Sequence, residues 1–271
     1  MRIGFLQFYP EFGEIDKNFE RIRKFIENTS PLPEILVLPE LALTGYTFID
    51  KEEANDYSME KDSDIVKSFI KICKRFNIAI STGFLERKEE KLYNSAFFIT
   101  KDGIKNIYRK VNLFKDEKEI FERDDRLDVF EYNGVKFGQL ICFDWLFPEM
   151  TRFLALHNAE IILHSANLVL PFCQDAMITR AIENRVFIVT ANRIGVEERK
   201  FKKYKKENRF TGRSQIVSPK GEILIRVGEN VEGIFSVEIN PEDARNKWIT
   251  EKNNIFEELK YDKKIIDDNL R

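Results

Sequence analysis

The 271-residue sequence has few of the side chains that bind metals or form disulfides. It contains three cysteines, Cys73, Cys142 and Cys173, and only two histidines. Because the number of cysteines is odd and no two lie close in the sequence, neither a disulfide framework nor a thiolate metal site is expected. Free thiols suit a reducing compartment, so we expect a cytoplasmic protein. No glycine-rich loop of the kind that binds phosphates is visible, and we expect no metal and no cofactor.

Long apolar runs and an excess of one charge are also lacking. No apolar run reaches the ~18 residues that a membrane-spanning helix needs. Residues 1–9 alternate like a strand and do not form the continuous apolar core of a signal peptide. The 44 basic and 46 acidic residues leave a net charge of -2, which argues against a nucleic-acid or membrane partner. We interpret the one basic stretch, residues 199–209, as a solvated loop over a sheet.

The chain does have enough apolar residues for a large core, since they make up 43% of it. Short apolar runs predict strands, and apolar residues at helical spacing predict helices. The predicted strands cover residues 2–9, 34–38, 78–83, 93–99, 104–110, 127–132, 135–141, 159–164, 186–190, 213–217, 222–226 and 233–239. The predicted helices cover residues 15–26, 65–76, 148–156 and 176–184, and another opens at Pro241. This alternation indicates a single α/β domain over residues 1–271, with helices covering its sheets.

Several of the predicted strands end on a reactive side chain. Glu40, Lys110, Cys142 and His164 each stand at such an end. In α/β proteins, ligands bind where the carboxyl ends of strands meet. Each residue alone also has a structural explanation, such as a cap, a solvated charge or a buried thiol. Together they suggest a site that combines a carboxylate, an ammonium group and a thiol.

That combination suits nucleophilic catalysis by Cys142. A thiol with an ordinary pKa near ~8.5 is mostly protonated at neutral pH, so it needs a base. Glu40 is the candidate base, while Lys110 and the backbone N–H of Phe143 are candidate donors to an oxyanion. An alternative hypothesis makes His164 the base. A third hypothesis is a non-catalytic interaction protein with the same fold.

Three segments resemble the signature blocks of the nitrilase superfamily of carbon–nitrogen hydrolases. They are Leu38-Pro39-Glu40 with the loop through Tyr46, Tyr108-Arg109-Lys110 with the residues through Phe114, and Ile141-Cys142-Phe143-Asp144 with the residues through Glu149. Further matches follow in the family's order at residues 166–167, 180–187, 191–195 and 212–221. The resemblance therefore covers nearly the whole chain.

The resemblance implies a four-layer α-β-β-α sandwich and gives each candidate a role. Glu40 matches the general base, Lys110 the oxyanion lysine and Cys142 the nucleophile. Glu117, seven residues after the lysine, matches a second glutamate that positions the substrate and the base–lysine pair. The family also implies a homodimer or larger assembly, and residues 245–271 are expected to form a tail that contacts a partner subunit.

Other residues of these segments are candidates for binding the substrate. They are Tyr46, Trp145, Asn167 and Phe172, and the resemblance also places Cys173 in the lining of the pocket. The aromatic candidates have a structural alternative, because the chain contains 24 phenylalanines and most aromatic side chains belong to the core.

The sequence departs from the family pattern at three places. Asn112 stands where many members have histidine, and Arg123-Asp124 replaces a common Pro-Gly turn. Phe143-Asp144 follows the cysteine where typical nitrilases have Trp-Glu. This last difference favours an amide or carbamoyl substrate over a nitrile.

The resemblance thus implies thiol-dependent hydrolysis of a non-peptide C–N bond in a small amide or N-carbamoyl substrate. The expected intermediate is a thioester on Cys142, and the products are an acid and ammonia or an amine. Hydrolysis of a small aliphatic nitrile is the alternative activity.

Overall fold

The computed structural model describes residues 1–201 and 204–259 of the chain. The helices are α1 (Ile15–Glu27), α2 (Lys51–Asp56), α3 (Asp64–Phe76), α4 (Glu117–Ile120), α5 (Pro148–Leu156), α6 (Cys173–Asn184) and α7 (Glu242–Arg245). The strands are β1 (Arg2–Gln7), β2 (Ile35–Val37), β3 (Ala79–Lys88), β4 (Lys91–Thr100), β5 (Gly103–Arg109), β6 (Val129–Tyr132), β7 (Val135–Ile141), β8 (Ile161–Ala166), β9 (Phe187–Asn192), β10 (Ile194–Phe201), β11 (Tyr204–Thr211), β12 (Gln215–Val217), β13 (Ile223–Arg226) and β14 (Gly233–Glu238).

Most of the strands form two six-stranded sheets. The first has the order β14-β1-β2-β3-β4-β5, and the second has the order β13-β12-β9-β8-β7-β6. Strands β1, β2 and β3 run parallel at the centre of the first sheet, as β7, β8 and β9 do in the second. Antiparallel strands flank both centres. Because the central strands of each sheet run in the same direction, their carboxyl ends lie at one edge of that sheet.

The sheets pack face to face and are covered by helices on their outer faces. Buried side chains of α1 and α3 contact one face of the first sheet. Its other face packs on the second sheet, whose outer face is covered by α5 and α6. The result is the predicted four-layer α-β-β-α sandwich.

Helix α3 shows how the sequence determines the outer layer. Val66, Phe69, Ile72 and Cys73 recur at helical spacing and are all buried against the sheet. The helix ends at Asn77, whose φ of 52° places it in the left-handed region that asparagine tolerates. Cys73 is therefore a core residue, as predicted.

The basic stretch at residues 199–209 was predicted to be a loop, and this prediction is wrong. Most of it belongs to the antiparallel strands β10 and β11, which form a separate two-stranded sheet. Its charged side chains form ion pairs, including Lys205 with Glu198 and Lys206 with Asp116. Such a hairpin lacks the apolar alternation that predicts strands buried on one face. Residues 202–203 of this stretch lie outside the described residues.

The segment after α7 was predicted to contact a partner subunit. Its first part packs on its own chain, because Lys247 Nζ donates to the carbonyl oxygens of Asn184 and Arg185 at the end of α6, and its contact with a partner stays a prediction. Residues 260–271 lie outside the described residues, and their contact with a partner stays a prediction. Among the residues that are described, no helix has the length and apolar character needed to cross a membrane.

Aromatic side chains form much of the contact between the two sheets. The ring of Phe98 from the first sheet lies 4.8 Å from that of Phe130 and 5.8 Å from that of Phe137 in the second. Phe98 is fully buried, and aromatic pairs at these distances add to the free energy of burial. This cluster holds the sheets in a fixed relation.

Replacing Phe98 with alanine should therefore lower the free energy of unfolding by about 3–5 kcal/mol, measured by urea denaturation. Phe172→Ala is the control, because the Phe172 ring is 61% exposed and its loss should change stability by only about 0.5 kcal/mol. Equal losses in the two variants would show that the cluster does not hold the sheets together.

Candidate active site

The four side chains that end predicted strands lie in the same region of the protein. They are Glu40, Lys110, Cys142 and His164, and they come from both sheets. Glu40 follows β2, and Lys110 follows β5 in the first sheet, while Cys142 follows β7 in the second. Glu40 and Lys110 are fully buried, and Cys142 is 6% exposed. The charges of Glu40 and Lys110 both act on the pKa of the Cys142 thiol, which places all three groups in one cluster.

Lys110 lies at the centre of this cluster. Its Nζ is 2.8 Å from Glu40 Oε1, 2.9 Å from Glu117 Oε1 and 2.8 Å from Glu117 Oε2. Burial lowers the pKa of the Lys110 ammonium, but the two carboxylates outweigh this effect and the net shift is upward. Lys110 is therefore charged in the resting protein.

Glu40 has one occupied and one free carboxylate oxygen. Oε1 accepts hydrogen bonds from Lys110 Nζ and, at 2.6 Å, from Asn94 Nδ2. Oε2 is buried and has no hydrogen-bond partner within the described part of the chain. The Lys110 and Asn94 donors thus fix one oxygen of the Glu40 carboxylate and with it the orientation of the side chain.

Asn94 was not identified in the sequence. It lies in β4 and is fully buried, and its peptide oxygen also accepts the backbone N–H of Lys110 at 2.8 Å. The only available signal was an amide side chain shortly before an apolar run in this strand. That signal does not say which residue the amide contacts.

Glu117 begins α4 and reaches the cluster, although charged neighbours surround it in the sequence. Besides Lys110, it accepts a hydrogen bond from Tyr46 Oη at 2.6 Å and another from the backbone N–H of Phe114 at 3.0 Å. Burial raises the pKa of Glu117, and the nearby Glu40 charge raises it further. The Lys110 ammonium lowers this pKa but does not cancel the other two effects. Tyr46, predicted to contact substrate, is thus also a partner of Glu117.

Cys142 occupies a strained turn. Its φ of 41° lies in the left-handed region, which is unfavourable for a residue with a Cβ, and it begins the 3₁₀ helix Cys142–Leu146. Strain of this kind clusters at functional sites. The thiol is buried beside the carboxylates, and burial together with the Glu40 charge raises its pKa well above the ordinary value. Cys142 therefore rests as a thiol.

Asp144 holds this turn in place. Its two carboxylate oxygens accept hydrogen bonds from the Ile141 backbone N–H, from Tyr108 Oη, and from the backbone and side-chain N–H groups of Asn112. The distances range from 2.7 Å for Tyr108 to 3.1 Å for the Asn112 backbone. Asn112, which replaces a common histidine, thus supports the turn that carries the cysteine.

His164 contacts the backbone of Cys142 instead of its thiol. Its Nε2 lies 3.0 Å from the Cys142 carbonyl oxygen, and its Nδ1 lies 3.2 Å from Thr190 Oγ1. Since a carbonyl oxygen only accepts, Nε2 carries the proton and Nδ1 accepts from the threonine. This geometry does not favour the hypothesis of a Cys–His catalytic pair.

The remaining predicted residues lie in different surroundings. Asn167 follows β8 and donates its side-chain N–H to the Glu40 carbonyl oxygen at 2.9 Å, which brings it into the cluster. Trp145 is 7% exposed and belongs to the core cluster beneath α5 and α6. Phe172 is exposed just before α6. Phe143 is half-buried against Phe114 and Phe147, and the role of its backbone N–H stays a prediction.

The loop that departs from the family's Pro-Gly turn adopts an ordinary backbone. Neither Arg123 nor Asp124 has a positive φ. The Asp124 carboxylate accepts from the backbone N–H groups of Asp125 and Arg126 and pairs with Arg109 at 3.1 Å. An aspartate-capped turn therefore replaces the glycine turn, and it is fixed to the residue before Lys110.

A glycine allows the loop of Glu40 to approach its neighbouring strand. A Cβ on Gly83 in β3 would lie 2.4 Å from the Glu40 Cα and from the Leu41 nitrogen. The Gly83 N–H donates to the Pro39 carbonyl oxygen, and the Ala42 N–H donates to the Gly83 oxygen. Any side chain at this position would displace Glu40.

Comparison with known proteins agrees with this geometry. Residues 2–247 match the sequence model of the carbon-nitrogen hydrolase family. The chain is 38% identical to a nitrilase of Pyrococcus abyssi over 95% of this chain and 97% of that protein. It is 32% identical to the 2-oxoglutaramate amidase of Bacillus subtilis over 96% of this chain and 98% of that protein.

Solved structures show the same fold. An amidase from Nesterenkonia sp. AN1, with acrylamide added at its active-site cysteine, aligns with a TM-score of 0.75 at 22% identity, over 91% of this chain and 96% of that one. The four-layer sandwich is that of the nitrilase superfamily. This chain belongs to the carbon-nitrogen hydrolase family and is a carbon–nitrogen hydrolase. The relatives named above include a nitrilase and an amidase.

The buried histidine predicts how stability depends on pH. Burial lowers the pKa of His164 from 6.5 to about 4. Because the unfolded chain then binds the proton more tightly, the stabilisation is fully present above pH 6.5 and is lost as the pH falls towards 4. The loss should be on the order of 3 kcal/mol, and His164→Gln should remove this part of the pH dependence in urea unfolding between pH 7 and pH 4.

His157→Gln is the matched control, because His157 is exposed at the end of α5 and should leave the slope unchanged. If His164→Gln retained the full slope of the wild-type protein, the histidine would not be the group responsible.

Proposed function

We propose that this protein hydrolyses a non-peptide C–N bond in a small amide or N-carbamoyl substrate, with Cys142 as the nucleophile. The observation that carries the proposal is the buried cluster in which Glu40 and Glu117 share the Lys110 ammonium, with the Cys142 thiol near enough for the Glu40 charge to raise its pKa. The two other candidate bases nearby are already engaged, because Glu117 binds Lys110, Tyr46 and the Phe114 backbone, and His164 binds the Cys142 carbonyl oxygen and Thr190. The proposal therefore assigns the acid–base chemistry to glutamate.

In the first half of the reaction, Glu40 takes the Cys142 proton as the sulfur attacks the carbonyl carbon. The carbonyl oxygen becomes an oxyanion, which is stabilised by the Lys110 ammonium and the Phe143 backbone N–H. Glu40 then gives its proton to the nitrogen, the C–N bond breaks, and ammonia or an amine leaves. The acyl group remains on Cys142 as a thioester.

In the second half, Glu40 removes a proton from water while the water oxygen attacks the thioester carbon. Collapse of the second tetrahedral intermediate breaks the C–S bond and releases the acid, and the proton on Glu40 returns to the sulfur. Both halves use the same base and the same oxyanion donors. No other group needs to change its protonation state.

Glu117 has a positioning role in this scheme. It binds the Lys110 ammonium through both carboxylate oxygens and so fixes the direction of the positive charge. Because Glu40 also binds Lys110, the three side chains form one rigid unit. Preorganised charges of this kind lower the barrier without reorganisation during the reaction.

The substrate class is supported by two observations. Phe143-Asp144 follows the cysteine where typical nitrilases have Trp-Glu, and one relative at 32% identity is an amidase. A second candidate activity, hydrolysis of a small aliphatic nitrile, is supported by the 38% identical relative that is a nitrilase. Ammonia release from panels of linear amides, carbamoyl amines and small nitriles separates the two.

On the preferred substrate, Cys142→Ala should abolish turnover, and Glu40→Gln should lower kcat by about 10²–10⁴-fold because the base is lost. Intact mass measurement of quenched wild-type enzyme should show an acyl adduct that Cys142→Ala lacks. Cys73→Ala, which removes a buried thiol in α3, is the control and should retain activity. Near-normal activity in Cys142→Ala or Glu40→Gln would exclude the scheme.

We also propose that the protein is a homodimer or larger homo-oligomer. Phe153 and Leu156 on α5, with Ile182 on α6, expose 41%, 49% and 42% of their surface on the outer helical layer. Apolar side chains exposed together are typical of an interface.

The expected result is therefore a particle of at least twice the chain mass in light scattering, and a monomer for Leu156→Glu. A monomeric wild-type protein, or a Leu156→Glu variant of unchanged mass, would contradict this assembly. Lys74→Glu, on an exposed residue of α3 in the opposite helical layer, serves as the control for an added acidic side chain.

A further inference from the structure

A buried ion pair lies beneath the loop that follows Glu40. Arg193 is fully buried and Glu197 is 2% exposed, and Arg193 Nη1 donates to Glu197 Oε2 at 2.9 Å. Arg193 Nη2 also donates to the Pro10 carbonyl oxygen, and its guanidinium lies 4.1 Å from the ring centre of Phe210 in β11. A charge pair this deep is costly unless its geometry is fixed, so the pair is a rigid element at the base of the β10–β11 hairpin.

The second oxygen of Glu197 holds the loop. Its Oε1 accepts the backbone N–H groups of both Tyr46, at 3.0 Å, and Thr47. The residue before them is Gly45, whose φ is 80° and whose Cβ, if present, would lie 2.7 Å from Glu197 Oε2. The carboxylate therefore lies directly beneath a turn that only glycine permits.

The hairpin also holds the side chain of Tyr46. The tyrosine ring packs edge-on against Phe210, with ring centres 6.1 Å apart. Glu197 in β10 thus fixes the backbone of Tyr46, while Phe210 in β11 fixes its ring. Two further contacts, from Asn208 Nδ2 to Thr47 Oγ1 and from Lys206 Nζ to the Phe48 carbonyl oxygen, join the same hairpin to the same loop.

Tyr46 carries this constraint into the charged cluster. Its Oη donates to Glu117 Oε1 at 2.6 Å, and that same oxygen accepts from Lys110 Nζ at 2.9 Å. The Glu117 carboxylate is consequently held between two donors. One is the neutral Tyr46 hydroxyl, whose position the hairpin fixes, and the other is the Lys110 ammonium group. If Tyr46 moved, Glu117 would keep the Phe114 N–H but lose one of the two neutral donors that orient its carboxylate, and the Lys110 ammonium would be held less firmly.

We propose that Glu197 is a positioning residue for the hydrolysis, which acts through Tyr46 and Glu117 on the orientation of Lys110. This inference rests on the proposed function insofar as Lys110 stabilises the transition state. It gives the β10–β11 hairpin a role in turnover, although the hairpin contributes no side chain to the chemistry. Glu197 does not touch the reacting atoms.

The test is a double-mutant cycle on whichever amide or nitrile the wild-type enzyme hydrolyses. Glu197→Gln and Tyr46→Phe should each lower kcat by roughly 10- to 100-fold, because a small misplacement of a catalytic group has an effect of this size. KM should change less than threefold in each, since Lys110 acts on the oxyanion and not on the bound ground state. The double variant should lose little more than either single variant, because both remove the same constraint.

The matched control is Glu160→Gln. Glu160 is a buried carboxylate that, like Glu197, accepts a backbone N–H and an arginine, but it precedes β8 at the end of the strand away from Asn167. Its variant should lose stability without losing kcat. Glu198→Gln, on the neighbouring exposed position of the same strand, should change neither.

Two results would overturn the proposal. One is an additive cycle, in which Glu197→Gln lowers kcat equally with and without the Tyr46 hydroxyl. The other is a Glu197→Gln variant with reduced stability but unchanged kcat, as expected for Glu160→Gln. Failure of the proposed function is a different observation, because it would appear as activity that survives in Cys142→Ala.

Should Glu197→Gln leave Arg193 unpaired and fail to fold, a second variant removes both buried charges. Combined Arg193→Met and Glu197→Leu replaces the pair with apolar side chains, a change that proteins often tolerate. It also removes the Glu197 carboxylate that accepts the Tyr46 and Thr47 N–H groups, so the same fall in kcat is expected. When the double substitution is introduced into Tyr46→Phe and compared with Tyr46→Phe alone, kcat should not fall further. An undiminished kcat in this variant would exclude a positioning role for Glu197.

Discussion

The site depends on one buried ammonium group shared by two carboxylates. Lys110 could not remain charged without Glu40 and Glu117, and the two carboxylates could not lie so close to each other without Lys110. The cluster exists only as a unit. Its surroundings accordingly consist of neutral donors, such as Asn94 and Tyr46, that orient the carboxylates without adding charge.

This constraint explains why the thiol of Cys142 stays uncharged at rest. A thiolate beside two carboxylates would add a third negative charge to a dry site, and burial raises the Cys142 pKa for the same reason. In the proposed mechanism, the proton moves only when the substrate provides an oxygen that can take the negative charge next to Lys110. On an amide, the proposed chemistry is thus coupled to the presence of the substrate's carbonyl group.

Much of this arrangement could be predicted from the sequence, because Glu40, Lys110 and Cys142 each end a recognisable apolar strand. The roles of Asn94, Asp144 and Glu197 could not be predicted, since no strand pattern assigns them a partner and their contacts with Glu40, Tyr108 and Tyr46 span 54, 36 and 151 residues of the chain. The hairpin of β10 and β11 was missed for another reason. Its strands are charged on both faces, so no apolar alternation marks them.

The two halves of the site belong to different sheets: the first sheet carries Glu40 and Lys110, and the second carries Cys142. Sliding one sheet along the other by a single residue repeat would move the thiol by about 3.3 Å, further than a proton transfer can span. The packing of the sheets must therefore fix their register as well as stabilise the fold. The interface between the two sheets is thus part of what keeps the thiol within reach of its proposed base.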